Sequence, residues 1–158
     1  MRCVFASLGS LGDLHPLLAL ARAAGERGHI PVVAASSGYR RYIEGLGFLF
    51  QAIRPEFEFE PKLVGRLFHP TRGPGRLMRE QIFANVRETY SDLLRASKGA
   101  DLLIVGELLY VAPLVAAELD IPWANAILAP TSFLSACDPC VLAPARRLFH
   151  LRKLGRWP

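Results

Sequence analysis

The residues best suited to chemistry stand early in the chain. Gly9-Ser10-Leu11-Gly12-Asp13 follows a short apolar run, and His15 lies two places further on. A carboxylate at such a turn can act as a general base, taking the proton of a hydroxyl as a bond forms. The same residue type also serves as a helix N-cap, where an acid contributes a few tenths to about 1 kcal/mol. The residues alone leave both readings of Asp13 open. His15 is the weaker partner for it, because positions i and i+2 of a helix do not share a face.

Two other groups invite chemical readings. Gly9-x-x-Gly12 between a strand and a helix resembles a dinucleotide loop, but G-x-G-x-x-G needs glycine where this chain has Leu11. It also needs an acid after the second strand, where Ser36-Ser37 stand, and no G-K-[ST] marks a P-loop. Cys137-Asp138-Pro139-Cys140 is formally C-x-x-C. Zinc would require two more ligands, a redox pair should open a helix, and three cysteines make no disulfide framework. No metal and no resident cofactor are expected.

The elements that must position the first loop alternate between strand and helix. Residues 2–8 are nearly all apolar, as in a buried parallel strand. Helical spacing runs from Leu14 to about Arg27, with Pro16 in the first turn and Gly28 as the stop. Strands at 30–35 and 48–53 flank a short helix over 39–46. Residues 54–75 are rich in Pro and Gly and read as an excursion or lid. A long amphipathic helix over 76–97 comes next, then a strand at 101–105, a helix at 110–119 and a strand at 123–128. This order predicts an α/β fold, a Rossmann-like doubly wound parallel sheet. Ligands of such sheets sit outside the carboxyl ends of the strands. That rule selects residues 9–13, Gly106-Glu107 and the segment from Ala129 to Phe133.

Composition sets the outer limits. The chain has 158 residues, 51% hydrophobic and 21% charged, enough for one ordinary domain and unlike a disordered chain. Its net charge of +5 arises entirely at the end, from Arg146, Arg147, Arg152, Lys153 and Arg156. The preceding residues carry 14 basic and 14 acidic side chains, so no nucleic-acid site is expected. No apolar run approaches the roughly 18 residues of a membrane span, and the start is too short for a secretory signal. The expected location is cytoplasmic.

The first loop, together with the helix and strand after it, carries a family resemblance. GSLGDLHPLLALARAAGERGHIPVVAAS is similar to the opening of GT-B glycosyltransferases of the UDP-glucosyl/glucuronosyl type. The nearest members are bacterial UDP:flavonoid, sterol or antibiotic-aglycone glycosyltransferases. Their first loop reads G-[ST]-x-G-[DH]-x-x-P, here Gly9 to Pro16, and R-G-H-x-V comes after it, here from Arg27-Gly28-His29. ADLLIVGELLYVAPLVAAELDIPWANAILAPTSFLSACDP resembles a second family stretch. The likeness covers about residues 2–145.

The resemblance implies one half of a GT-B fold, the N-terminal acceptor-binding domain over 1–145, with 146–158 a basic tail or the start of a linker. It implies that Asp13 is the base that deprotonates an acceptor hydroxyl, which then attacks the anomeric carbon of a nucleotide-sugar with inversion. Ser10, Leu11 and Gly12 would lie near the donor, and His15, Glu107, Thr131, Ser132 and Phe133 near a lipophilic acceptor. The nucleotide-sugar is a co-substrate. Members with His at the base position often pair it with an Asp after the fourth strand, where this chain has Gly106 and then Glu107. The family's donor-binding domain does not follow in this sequence. Four readings result: part of a glycosyltransferase, one subunit of a split enzyme, a binding module for a hydrophobic molecule, or an unrelated nucleotide-binding protein.

Overall fold

The computed structural model describes residues 1–56, 65, 69 and 72–129. Five strands, β1 (Arg2–Ala6), β2 (Ile30–Ala35), β3 (Leu49–Ala52), β4 (Leu102–Gly106) and β5 (Trp123–Ala126), form one sheet. Its order is β3-β2-β1-β4-β5 and all four pairings are parallel. The chain winds outward from β1 to β3, returns across the sheet, and continues through β4 to β5. The switch of direction falls between β1 and β4.

Side-chain alternation on the central strands explains the layers. Val4, Ala6, Val32, Ala34, Leu103 and Val105 point to one face, against Leu93, Ala96, Ala112 and Val115 of two helices, α4 (Val86–Ser97) and α5 (Ala112–Leu119). Cys3, Phe5, Val33 and Ala35 point to the other, against Leu14, Leu17, Leu18 and Ala21 of α1 (Leu11–Glu26) and Ile43 of α2 (Arg40–Gly45). With helices on both faces, a strand gains by being apolar throughout, hence the unbroken Cys3-Val4-Phe5-Ala6. Burial of Val4 and Phe5, both almost wholly enclosed, contributes about 1.5–3 kcal/mol each. The doubly wound α/β reading of the sequence is therefore the observed fold.

Several boundaries differ from the periodicity. The helix expected from Leu14 begins at Leu11, because Ser10 caps it. Pro16, expected in the first turn, thus lies inside the helix, where it cannot donate to the carbonyl of Gly12. Gly28 does end that region in the left-handed conformation, with φ +81°.

The long helix expected over 76–97 is not one α-helix. It is α3 (Gly73–Arg76), a π-helical segment Leu77–Ile82, a 3-10 turn Phe83–Asn85, and then α4. Leu77 and Ile82 both pack on the core. Five positions apart, they would be separated by about 140° on an α-helix. The wider π turn brings them to one side. The last strand also ends early, at Ala126 rather than Leu128, and Ile127 and Leu128 are exposed. Most of the excursion over 54–75 lies outside the described residues, as do Cys137, Cys140 and the basic tail from Arg146.

Candidate functional site

The loop from Ser7 to Ser10 leaves the carboxyl end of β1, the central strand, and enters α1. Ser7 N–H still donates to Ala34 O at 2.9 Å, so sheet pairing outlasts the strand by one residue. At Gly9 the backbone turns with φ +126°. A Cβ there would lie 2.5 Å from Asp13 Oδ2, so the loop requires glycine for both conformation and space.

Ser10 is the N-cap of α1, and Asp13 is the third helical residue. The N-cap role considered for Asp13 thus belongs to Ser10. The Ser10 main-chain N–H and its hydroxyl both donate to Asp13 Oδ2, at 2.8 and 2.9 Å. Ser10 Oγ in turn accepts the Gly12 N–H at 3.2 Å. This is a capping box with Asp in the place usually taken by Glu or Gln. It sets a half-buried carboxylate at the positive end of a sixteen-residue helix. Of the two amides expected to face a donor, Gly12 is engaged in this cap. Leu11 is exposed beside it.

Tyr39 closes the loop from the side, its hydroxyl donating to Gly9 O at 3.1 Å. Burial first, and the nearby Asp13 charge second, raise the Tyr39 phenol above its ordinary value of 10.0. His15 does not join this group. It is exposed and its Nε2 lies 3.1 Å from Tyr42 Oη, as expected of a side chain on a different face of α1 from Asp13.

Across the switch point, Gly106 ends β4 beside β1, where an added Cβ would sit 3.8 Å from Ser7 Oγ and from Ala6 O. The buried Ser7 hydroxyl has no hydrogen-bond partner among the described residues. Glu107 is placed as a tie between two strand ends: its Oε1 accepts the N–H groups of Leu128 and Ala129, at 2.6 and 3.0 Å. Thr131, Ser132 and Phe133, the other residues expected here, lie outside the described residues.

Sequence spacing does not single out Phe83, Leu108 or Tyr110, which border this end of the sheet. With Leu8 and Ile82 they line a narrow apolar cleft that shares Val86 and Val111 with a wider, open groove of about 450 Å³ between α4 and α5. Tyr90, Val111 and Leu114 border that groove. Phe83 and Tyr110 are 57% and 56% exposed, with ring centroids 6.4 Å apart. Among the described residues no three His, Cys, Asp or Glu side chains gather as for a metal, and no helix is long and apolar enough to cross a membrane.

No family model and no curated relative matches the sequence. Solved structures do. The glycosyltransferase SsfS6 of Streptomyces sp. SF2575 superposes with a TM-score of 0.63 at 23% identity, over 80% of this chain and 39% of its own. SsfS6 complexed with thymidine diphosphate gives 0.54 at 26%. The glycosyltransferase SnogD of Streptomyces nogalater gives 0.57 at 20%, over 96% of this chain and 38% of its own. The spinosyn rhamnosyltransferase SpnG, also solved with thymidine diphosphate, gives 0.58 at 21%. These neighbours are GT-B glycosyltransferases, and the chain has the Rossmann-like fold of part of such a protein. The chain spans less than half the length of each of these: 39% of SsfS6, 38% of SnogD and 36% of SpnG.

Proposed function

We propose that this chain is the N-terminal, acceptor-binding half of an inverting glycosyltransferase that moves a sugar from a nucleotide-sugar to a hydroxyl of a lipophilic acceptor. The observation behind the proposal is the Asp13 carboxylate. It stands at the carboxyl end of the central strand, with one oxygen already fixed by Ser10. In the proposed reaction Asp13 Oδ1 takes the acceptor proton as the hydroxyl oxygen attacks the anomeric carbon. The bond from that carbon to the diphosphate breaks, and the nucleoside diphosphate leaves from the opposite face. Because a carboxylate needs no tautomer to be set, an Asp base works without the acidic partner absent at Gly106.

The apolar cleft and groove supply the acceptor surface in this reading. Their lining matches the few polar contacts and large apolar area of small-molecule sites. His15, Glu107 and the segment Thr131-Ser132-Phe133 complete the acceptor side. Ser10, Leu11 and Gly12 face the donor. Three neighbouring structures were solved with thymidine diphosphate, which supports a pyrimidine nucleoside-diphosphate sugar, UDP- or dTDP-linked. Residues 1–145 form the acceptor domain, and 146–158 begin the link to a donor-binding domain or pair with a separate donor-binding chain. The reaction is assigned to the cytoplasm.

The groove also favours a second reading, a non-catalytic module that binds a hydrophobic small molecule. Titrating the chain with lipophilic phenols and sterols, read by Trp123 fluorescence, tests what both share. Saturable binding across part of the panel is expected. A flat response to every compound would remove the acceptor site. Sugar transfer by a preparation that contains a donor-binding half separates the two readings.

A further inference from the structure

Building on the base role proposed for Asp13, we infer that Tyr39 is its positioning residue, acting through the single peptide unit between Gly9 and Ser10. That unit is planar and rigid, so its C=O and N–H turn together. The Tyr39 hydroxyl holds the oxygen end, at 3.1 Å from Gly9 O. Asp13 Oδ2 holds the hydrogen end, at 2.8 Å from Ser10 N. Neither contact can rotate away without the other. A phenol in the turn after β2 thus sets the orientation of a carboxylate on α1, and bonds in such a series strengthen one another.

Tyr39 is itself well founded. Its ring packs on the core shared by β1, α1 and α2. It ends the 3-10 turn Ser37–Tyr39, and Glu56 fixes that turn. Glu56 Oε2 accepts the hydroxyls of Ser36 and Ser37, each at 2.7 Å, and the Ser37 N–H at 2.8 Å. Loops at the carboxyl ends of β1, β2 and β3 are therefore joined in one series that ends at Asp13. The left-handed φ of +126° at Gly9 makes the external hold useful, since glycine by itself restrains the peptide plane least. The raised Tyr39 phenol, owed in part to Asp13, is consistent with their proximity.

The test uses Tyr39→Phe, which keeps the ring, and Asp13→Asn, which removes the charge. In the chain itself, amide exchange by NMR should speed up several-fold at Ser10 in Tyr39→Phe and stay unchanged in the central strands. In Asp13→Asn the Tyr39 ring signal should titrate at lower pH than in the wild type. In a preparation that transfers sugar, Tyr39→Phe should lower kcat by up to about tenfold, the worth of one net hydrogen bond, with KM for the acceptor unchanged. If Ser10 exchange, the Tyr39 titration and kcat all stay put, the positioning role is wrong while the base role of Asp13 stands. If exchange and titration move but Asp13→Asn turns over normally, the coupling is real and the base role is wrong.

Discussion

Ser10 and Asp13 hold each other reciprocally: the serine offers its N–H and hydroxyl to one carboxylate oxygen, at 2.8 and 2.9 Å, and caps the helix that carries the aspartate. One contact therefore starts α1 and orients the group proposed as base. Structural and chemical roles coincide at Asp13, and they separate in experiment because folding and turnover report on different oxygens.

Gly9 should be nearly irreplaceable. Gly9→Ala places a methyl where the Asp13 carboxylate lies 2.5 Å away, at φ +126°. We expect a loss of more than about 1 kcal/mol in urea unfolding, against the gain of about 0.4–1 kcal/mol from Gly→Ala at unstrained positions. A neutral or stabilising effect would mean that the loop adopts another conformation.

Acid should weaken the tie between β3 and α4. Arg54 grips Asp92 through Nε at 2.7 Å and a second nitrogen at 3.0 Å, and Arg95 adds a third contact at 2.9 Å. The Arg54 hydrogen bond, foremost among the causes, lowers the Asp92 carboxyl below its ordinary 3.8. Its stabilising effect is complete above the unfolded value, about pH 4, and is lost as pH falls through the lower folded value. Asp92→Asn should cost about 1.5–3 kcal/mol at neutral pH, the range for hydrogen bonds to charged groups. The gap between variant and wild type should close as acid is added, which urea midpoints at neutral and acid pH will show.

Phe83 and Tyr110 should govern binding of lipophilic acceptors. Truncating either to Ala removes one member of a tilted aromatic pair at the cleft. A loss of about three- to tenfold in affinity is expected, the worth of about 0.5–1.5 kcal/mol for the ring contact that each side chain would make with a bound phenol. Fluorescence titration with a lipophilic phenol measures it. Equal affinity in both variants would place the acceptor elsewhere.

Nucleoside diphosphate should bind this chain poorly. In the proposed division most donor contacts belong to the other half. Calorimetry should find no micromolar binding of UDP or thymidine diphosphate, and tight binding would reverse the assignment of the halves.

How far the sequence discloses these features depends on how local each cause is. The apolar run of β1, the alternation of elements and the bounds of β2 are written in neighbouring residues, and they emerge as read. Asp13 at the mouth of a helix is legible for the same reason. Its exact cap is not, since Gly12 and Leu11 look like loop until Ser10 is seen to start the helix. The Leu77–Ile82 π segment stays hidden because tertiary packing of Leu77 and Ile82, not helix propensity, sets its wider turn. Tyr39 on Gly9, Phe83 near Tyr110 and Glu107 under Leu128 join residues that only the sheet brings together. No spacing rule marks such pairs.

Everything proposed for catalysis turns on Asp13 taking the acceptor proton. Single-turnover sugar transfer from a nucleotide-sugar to a bound lipophilic phenol addresses it, comparing wild type with Asp13→Asn in the complete enzyme or with a donor-binding half supplied. The transfer rate should fall by about 10²- to 10⁴-fold, the usual share of a general base, with acceptor affinity retained. An unchanged rate in the variant would contradict the assignment.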